Sequence, residues 1–255
     1  MIYQQIKKSS KQGGKLFALL IDPDKTFGKK LERMILEAVV AKVDLFFIGG
    51  SLMVADRMND CIQQIKTICK IPTLLFPGNT LQITNKADGI LFLSLISGRN
   101  PDLLIGQQVI AAPYLKESNL EIIPTGYMII DGGAPTSVSY MSNTIPIPHD
   151  KNEIAQCTAM AGEMLGLKCL YMDSGSGAKH PISTEMIKAV KQSVDLPLII
   201  GGGLRSIESV TQSARAGADI IVIGTAIEKK LTKLSAFVDA VHQCSESITL
   251  KKEKH

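Results

Sequence analysis

Eight short apolar runs, spaced at fairly even intervals along the chain, restrict its fold more than any other feature. Several are rich in β-branched residues and are continuous rather than alternating, which is typical of strands buried on both faces. Helical patterns separate most of the runs, so successive strands should be parallel neighbours. We therefore predict strands at 16–21, 45–48, 73–76, 90–95, 121–125 with a continuation towards 130, 169–172, 198–200 and 220–223.

An α/β chain with eight such alternations is expected to form a single (β/α)₈ TIM-type barrel, with residues 1–255 as one domain. An open doubly wound sheet is the alternative, but it usually carries G-x-G-x-x-G after its first strand, where this chain has IDPDK. The link 77–88 is too short for a regular helix, so we expect a barrel modified around its third helix position. The long link 126–148 is interpreted as a functional loop. We also expect a polar N-terminal segment and a frayed basic tail at 251–255.

Composition limits the classes of binding partner and the cellular compartment that we expect for this protein. A net charge of +4 is compatible with small anionic substrates but too small to indicate nucleic acid. The five cysteines are dispersed and form no C-x-x-C pair, which indicates reduced thiols. No apolar run approaches the length of a membrane span, and the N-terminus lacks the apolar segment of a secretory signal. We therefore predict a cytoplasmic protein with no membrane span and no nucleic-acid partner.

The two last predicted strands each end in glycine. Gly202 and Gly203 follow one strand, and Gly224 and Thr225 follow the other. Glycine leaves backbone N–H groups uncovered, and the loops after the last two strands of such barrels often bind phosphate. The alternative is that these glycines only make tight turns. Because both strand ends carry them in register, we favour a phosphate site.

The sixth predicted strand runs into YMDSGSGA, which offers a carboxylate, two serines and two glycines. Ser176 and the N–H groups around Gly175 and Gly177 are expected to extend the phosphate site, and Asp173 to bind a substrate hydroxyl or act as a general base. A helix-capping loop is the alternative. Nearby Lys179, His180 and, further away, Arg99 are weaker candidates, and we place the first two outside the site.

Asp22 and Ser51 follow the first two predicted strands and should lie on the same rim of the barrel. Both offer hard oxygen atoms, and Mg²⁺ prefers one or two protein oxygens completed by water and substrate phosphate. The alternative is that Asp22 caps the following helix and Ser51 makes a turn. A magnesium site beside a phosphate site would indicate a second substrate that carries a diphosphate.

Seven segments of the chain, in this order, resemble the geranylgeranylglyceryl phosphate synthase family, which includes the bacterial heptaprenylglyceryl phosphate synthases. The segments are LLIDPDK, FFIGGS, SGRNP, TGYMIIDGG, YMDSGSGA, IIGGGLRS and VIGTAIE. The last two occur in many phosphate-binding barrels, whereas the order of all seven is strongly specific and covers nearly the whole chain.

The resemblance implies a Mg²⁺-dependent prenyltransferase in ether-lipid biosynthesis. It would join sn-glycerol 1-phosphate to a polyprenyl diphosphate and release diphosphate. The resemblance puts the metal on Asp22 and Ser51, and catalysis on Asp173 and Tyr171. It puts the glycerol phosphate contacts on Tyr171, Asp173, Ser174, Gly175, Ser176, Gly177, Gly202, Gly203, Gly224 and Thr225.

Two positions depart from the family pattern. Asp173 stands where the family commonly has Glu, one methylene longer. Leu20 stands where the heptaprenyl enzymes carry Lys, which favours geranylgeranyl diphosphate as the donor. We also expect a homo-oligomer and product release at a membrane surface. Another phosphate-binding isomerase or lyase, and a barrel that only binds phosphorylated ligands, are the competing functions.

Overall fold

The computed structural model describes residues 1–252 and contains a closed barrel of eight parallel strands in sequence order. The predicted fold class is confirmed. The strands are β1 Leu16–Ile21, β2 Leu45–Ile48, β3 Thr73–Leu75, β4 Gly89–Leu95, β5 Glu121–Ile129, β6 Cys169–Asp173, β7 Leu198–Gly201 and β8 Ile220–Ile223.

Helices surround this barrel on the outside. They are α1 Ile2–Gln12, α2 Gly28–Val40, α3 Met58–Ile68, α4 Gln107–Glu117, α5 Ser137–Ser142, α6 Asn152–Met164, α7 Thr184–Ser193, α8 Ile207–Ala216, α9 Thr225–Lys229 and α10 Leu234–Lys252. The Ser206 hydroxyl caps the start of α8, and Gly217, at φ 128°, ends it.

Side chains alternate along each strand between the barrel interior and the surrounding helices. On β6, Cys169 and Tyr171 belong to the interior cluster, whereas Leu170 and Met172 pack with the helices. Full burial of each such apolar side chain contributes roughly 1.5–3 kcal/mol to stability. The same alternation turns Asp173, at the last position of β6, towards the mouth of the barrel.

The third link departs from the regular barrel, as predicted. Only a single 3₁₀ turn, Thr80–Gln82, lies between β3 and β4. β3 pairs with β4 only at Gly89 and Ile90, while β4 runs on to Leu95. Beyond Ile90, the flank of β4 that faces β3 therefore has no paired strand, and the barrel wall has a slot there.

Apolar residues in 226–241 repeat at helical spacing and predict a single helix there, and this prediction is wrong. The segment contains α9, a 3₁₀ turn at Leu231–Lys233 and the start of α10. Lys230 breaks the helix because its backbone is not helical, with φ −149° and ψ 79°. Ile227 and Leu234 are nevertheless buried, so the apolar period correctly identified the buried face but not the continuity of the backbone.

The polar N-terminal segment forms α1, which lies across the bottom of the barrel. Ile2 and Ile6 are buried against the interior cluster. The Glu121 carboxylate, at the first position of β5, accepts the backbone N–H groups of Ile2 and Tyr3, the latter at 2.9 Å. Glu121 thus satisfies two N–H groups that the first turn of a helix leaves without partners.

At the other end of the chain, α10 continues to Lys252. The predicted frayed tail at 251–255 therefore falls largely outside the described residues. Within residues 1–252, no helix is both long and apolar enough to cross a membrane. Cys61 and Cys169 are buried thiols, whereas Cys157 is exposed on α6.

Candidate active site

The carboxyl ends of the strands surround a cavity of about 1020 Å³. It begins at the barrel mouth and extends sideways along β4 to α4. Most of the predicted site residues line it: Asp22, Ser51, Tyr171, Asp173, Ser176, Gly177, Gly202, Gly203, Gly224 and Thr225. The structure thus brings these predicted residues together at one rim of the barrel.

The predicted phosphate site is formed by the loops after β6, β7 and β8. The hydroxyls of Ser176 and Thr225 are hydrogen-bonded at 2.9 Å, which joins the first and last of these loops. Gly177 has φ +93°, and a Cβ placed on it would meet nothing within 4 Å, so its backbone faces open space. Gly202 and Gly203 also have positive φ, which glycine adopts without strain.

Ser174 and Gly175 do not line the cavity, and their contact with substrate stays a prediction. A Cβ on Gly202 would lie 2.5 Å from Ser174 Oγ and 2.6 Å from Gly175 N, so both lie directly behind Gly202. The buried Ser174 hydroxyl has no hydrogen-bond partner in the part of the chain that the structure describes. Gly175 instead serves Asp173, as its N–H donates to Asp173 Oδ1 at 2.6 Å.

Asp173 lies at the centre of the mouth and is held from both sides. Its Oδ2 accepts the Tyr127 hydroxyl at 2.6 Å, opposite the bond from Gly175. Burial raises the pKa of the Asp173 carboxyl, and these two hydrogen bonds partly oppose the rise. Each oxygen retains a lone pair for a substrate hydroxyl. The Asp173 carboxyl is therefore held in one orientation and has a raised pKa, two properties that a general base needs.

Tyr171 lies lower in the barrel and is almost completely buried. Its ring stacks on Phe76, with centroids 4.9 Å apart, and meets the Tyr127 ring edge-on at 5.4 Å. Its hydroxyl approaches Gly201 so closely that a Cβ there would lie only 2.6 Å away. Tyr171 reaches the cavity from below Asp173.

The sequence analysis missed Tyr127. In the register between β5 and β6, Tyr127 pairs with Tyr171, and Ile129 pairs with Asp173. The Tyr127 side chain therefore points inward, one level below the Asp173 carboxylate. Strand alternation, counted along the fifth predicted strand, could have placed this side chain on the inner face. An aromatic residue inside a strand, however, is equally consistent with a core position.

Asp22 and Ser51 lie on adjacent rim loops, after the paired strands β1 and β2. A Cβ on Gly50 would lie 3.4 Å from Asp22 Cγ, so the carboxylate sits against the backbone just before Ser51. Asp22 does not cap α2, whose N-cap is Phe27. Its Oδ1 accepts the N–H of Asp24 at 3.0 Å, within its own loop.

The donor set at Asp22 fits Mg²⁺. Hard oxygens face the cavity, and a cation already pairs with the carboxylate, because Lys25 Nζ binds Asp22 Oδ2. Partial burial opposes the charge of Lys25, but its hydrogen bond to Asp22 and the charges of Asp22 and Glu228 outweigh that effect and raise its pKa. The described residues form no cluster of three or more acidic, His or Cys ligands. The site would thus need oxygens from water and substrate phosphate, as Mg²⁺ sites commonly do.

The lateral part of the cavity is apolar and follows the slot in the barrel wall. It is lined by Leu91, Leu93, Leu95, Leu103 and Ala111, among others. On that flank of β4, Gln108 of α4 supplies one hydrogen bond, because its Nε2 donates to the backbone carbonyl of Leu93. A long apolar ligand could lie along the leucine side chains of β4.

Comparison with known proteins identifies the family. A model described as the PcrB family matches residues 7–242. A geranylgeranylglyceryl phosphate synthase from Chitinophaga pinensis is 53% identical over 241 residues, which cover 94% of this chain and 96% of that protein. The chain belongs to the PcrB family.

Two further proteins similar to this chain are also geranylgeranylglyceryl phosphate synthases. A geranylgeranylglyceryl phosphate synthase from Spirosoma linguale is 48% identical, over 92% of this chain and 95% of its own length. The crystal structure of (S)-3-O-geranylgeranylglyceryl phosphate synthase from Thermoplasma acidophilum, in complex with sn-glycerol-1-phosphate, superposes with a TM-score of 0.90 at 32% identity, covering 95% of this chain and 99% of that one. These relatives favour prenyl transfer over the isomerase, lyase and simple binding alternatives.

The remaining candidate site residues of this PcrB-family chain fall into two groups, those that line the cavity and those that do not. Leu20 lines the cavity beside Gly224, whereas Lys179 and His180 do not line it, as expected. Arg99 is exposed and donates to the carbonyl of its neighbour Gly98 at 3.0 Å, away from the cavity. Cations that the sequence analysis did not single out do line the mouth: Arg205, Lys229, Lys230 and Lys233.

Proposed function

We propose that this protein joins sn-glycerol 1-phosphate to geranylgeranyl diphosphate through an ether bond. The proposal rests on one observation: three features that the reaction needs lie in one continuous cavity. A glycine-lined phosphate site, an oriented carboxylate and an apolar groove along β4 open into one another. An enzyme that acts on a small phosphate ester alone would have no use for the groove.

The polar substrate fits the loops after β6, β7 and β8. Backbone N–H groups near Gly202 and Gly224, and the linked hydroxyls of Ser176 and Thr225, would bind its phosphate. Its 3-hydroxyl would then face Asp173. Fixing the hydroxyl in this orientation replaces a diffusional encounter between two substrates by a positioned one.

The diphosphate would lie across the mouth, near Asp22 and Ser51, which would hold Mg²⁺ there. When bound, Mg²⁺ neutralises charge on the diphosphate leaving group. Lys25 pairs with Asp22 and lines the same part of the cavity, so its ammonium is positioned to contact the diphosphate as well.

In the proposed chemical step, one bond breaks, one bond forms, and a residue of the site accepts the released proton. The allylic C–O bond to diphosphate breaks, and the glycerol hydroxyl oxygen forms a new bond to that carbon. Asp173 accepts the hydroxyl proton while Tyr127 and Gly175 hold its two oxygens. Apolar walls along β4 keep water away from the electron-deficient carbon.

A direct assay tests the proposal. We expect incubation with sn-glycerol 1-phosphate, Mg²⁺ and geranylgeranyl diphosphate to give the ether product and diphosphate, identified by mass. Asp173→Asn should lower kcat by about 10²–10⁴-fold, since it keeps the shape but removes the base. Product with heptaprenyl diphosphate in preference would contradict the assigned donor, and no product with any prenyl diphosphate would refute the reaction.

We propose further that the protein acts in the cytoplasm as a homo-oligomer and releases its product at a membrane surface. The exposed thiol of Cys157 supports a reducing compartment. Exposed Leu52 and Val54 on the rim of the cavity support contact with lipid. Light scattering would measure the oligomeric state. Co-sedimentation with vesicles, compared with a Leu52→Ser, Val54→Ser variant, would measure membrane contact.

A further inference from the structure

One buried side chain outside the cavity bridges the two rim loops that flank the proposed metal site. Gln82 lies in the 3₁₀ turn of the third link and is only 3% exposed. Its Oε1 accepts the N–H groups of Gly50 at 3.3 Å and Gly78 at 3.1 Å, and its Nε2 donates to the Gly50 carbonyl at 2.8 Å. One amide thus makes three hydrogen bonds to two loops.

The backbone at this point needs such a partner because the strand ladder has ended. The bond from Phe76 N to Ile48 O, at 2.8 Å, lies at the point where β2 and β3 end. Beyond it the loops continue in contact: a Cβ on Gly49 would lie 2.0 Å from Phe76 O, and one on Gly78 would lie 2.3 Å from Gly50 O. The Gln82 amide replaces the missing rung, and leaving those buried groups unpaired would be costly.

Gly50 is the residue through which this bridge reaches the site. It lies between the Asp22 carboxylate, which packs against it, and Ser51, which follows it in the chain. The position of Gly50 therefore determines the position of the Ser51 hydroxyl relative to Asp22. Further along the same loop, Asp24 Oδ2 accepts the N–H of Val54 at 2.6 Å, so the loop is anchored at two points.

We propose that Gln82 is a positioning residue that holds Ser51 beside Asp22 and so sets the affinity of this rim for Mg²⁺ and diphosphate. This inference rests on the proposed function. Gln82 does not line the cavity, so it acts through the backbone of Gly50 and not by touching substrate. The phosphate site after β6, β7 and β8 lies across the mouth and does not depend on it.

The test is binding of Mg²⁺ and inorganic diphosphate, measured by calorimetry without turnover. Gln82→Met keeps the length of the side chain and removes all three hydrogen bonds. We expect it to weaken Mg²⁺-diphosphate binding by about 10- to 100-fold, the range found when residues that orient metal ligands are replaced. Binding of sn-glycerol 1-phosphate should stay within about twofold of wild type. Leu81→Ala, on the same turn and 93% exposed, is the matched control and should change neither affinity.

A double-mutant cycle with Ser51→Ala decides whether the effect passes through Ser51. If it does, the two losses in Mg²⁺-diphosphate affinity overlap, and the double variant is no weaker than Ser51→Ala alone. Additive losses, or an equal loss of glycerol phosphate binding in Gln82→Met, would show a general structural role and overturn the proposal. If Gln82→Met does not fold, Gln82→Asn keeps the amide but shortens its reach by one methylene.

The result also separates this inference from the function on which it rests. Wild-type protein that binds no Mg²⁺ with diphosphate, yet makes the ether product, would overturn both the metal site and the role of Gln82 while leaving prenyl transfer intact. Normal binding by wild type and an unchanged affinity in Gln82→Met would overturn the role of Gln82 alone.

Discussion

At the scale of single residues, strand ends were the informative part of the sequence. Asp22 and Asp173 stand at the ends of apolar runs, and the structure places both at the mouth of the barrel, as those positions predicted. Tyr127 and Gln82 were not found, because each acts on a group far away in sequence. The Tyr127 hydroxyl meets Asp173, and Gln82 meets Gly50, through contacts that only the closed barrel creates.

The Tyr127–Asp173 hydrogen bond has a measurable pH consequence. It stabilises the charged carboxylate and lowers a pKa that burial raises. Removing it in Tyr127→Phe should raise the pKa of Asp173 further, so the acid limb of the kcat/KM profile should move to higher pH. Tyr114→Phe, 70% exposed on α4, is the control. Substrate phosphate titrates equally in both proteins, and coincident profiles would show that Asp173 is not the base.

At the scale of elements, the sequence located strands well and helix ends less well. β-branched runs of four to six residues have few structural alternatives once they recur between helical patterns. Helical periodicity, by contrast, survives a break such as the one at Lys230, since the turn that follows restores the buried face. The sequence also gave no sign that α1 would lie across the barrel floor, because its anchor, Glu121, is over a hundred residues away.

The anchor of α1 can be tested directly. Glu121→Ala removes the acceptor for the N–H groups of Ile2 and Tyr3, and should lower the free energy of unfolding by about 0.5–2 kcal/mol, as loss of a helix N-cap does. Amide exchange in α1 should accelerate more than in the barrel strands. Glu117→Ala, exposed on α4, provides the control. Equal exchange in the two variants would rule out Glu121 as the anchor.

The last helix is attached to the barrel floor by an ion pair that titrates. His242 Nε2 lies 2.8 Å from Asp44 Oδ2, and this hydrogen bond raises the pKa of His242 above 6.5. Because the folded pKa exceeds the unfolded one, the added stability is full below 6.5 and disappears as the pH rises through the raised pKa.

Denaturation midpoints of wild type and His242→Gln should therefore differ most at mildly acidic pH and converge as the pH rises. Gln243→Ala, exposed beside it on α10, should keep a constant difference from wild type. A His242→Gln difference that does not vary with pH would assign the contact to packing rather than charge.

At the scale of the whole molecule, barrel closure followed from the eight alternations, but the shape of the cavity did not. The short third link predicted an irregularity and could not reveal that it opens a lateral groove. Groove and core residues have the same apolar character, and they differ in that β3 does not extend beside Leu91–Leu95.

The groove predicts a dependence on prenyl chain length. Ala111 is buried on α4 and lines the groove, so Ala111→Phe should fill part of it. We expect KM for geranylgeranyl diphosphate to rise at least about tenfold, while geranyl diphosphate, with half the carbons, reacts nearly as before. Val109→Phe, 65% exposed on the same helix, is the control. Equal effects on both donors would place the prenyl chain elsewhere.

The slot beside β4 also bears on how such an enzyme can change its preference. A ligand that leaves through the side of a barrel is not limited by the height of the strands, so its tail and its reacting head are bounded by different parts of the chain. Substitutions along one helix can then change which tail is accepted, while every group that performs the reaction keeps its position.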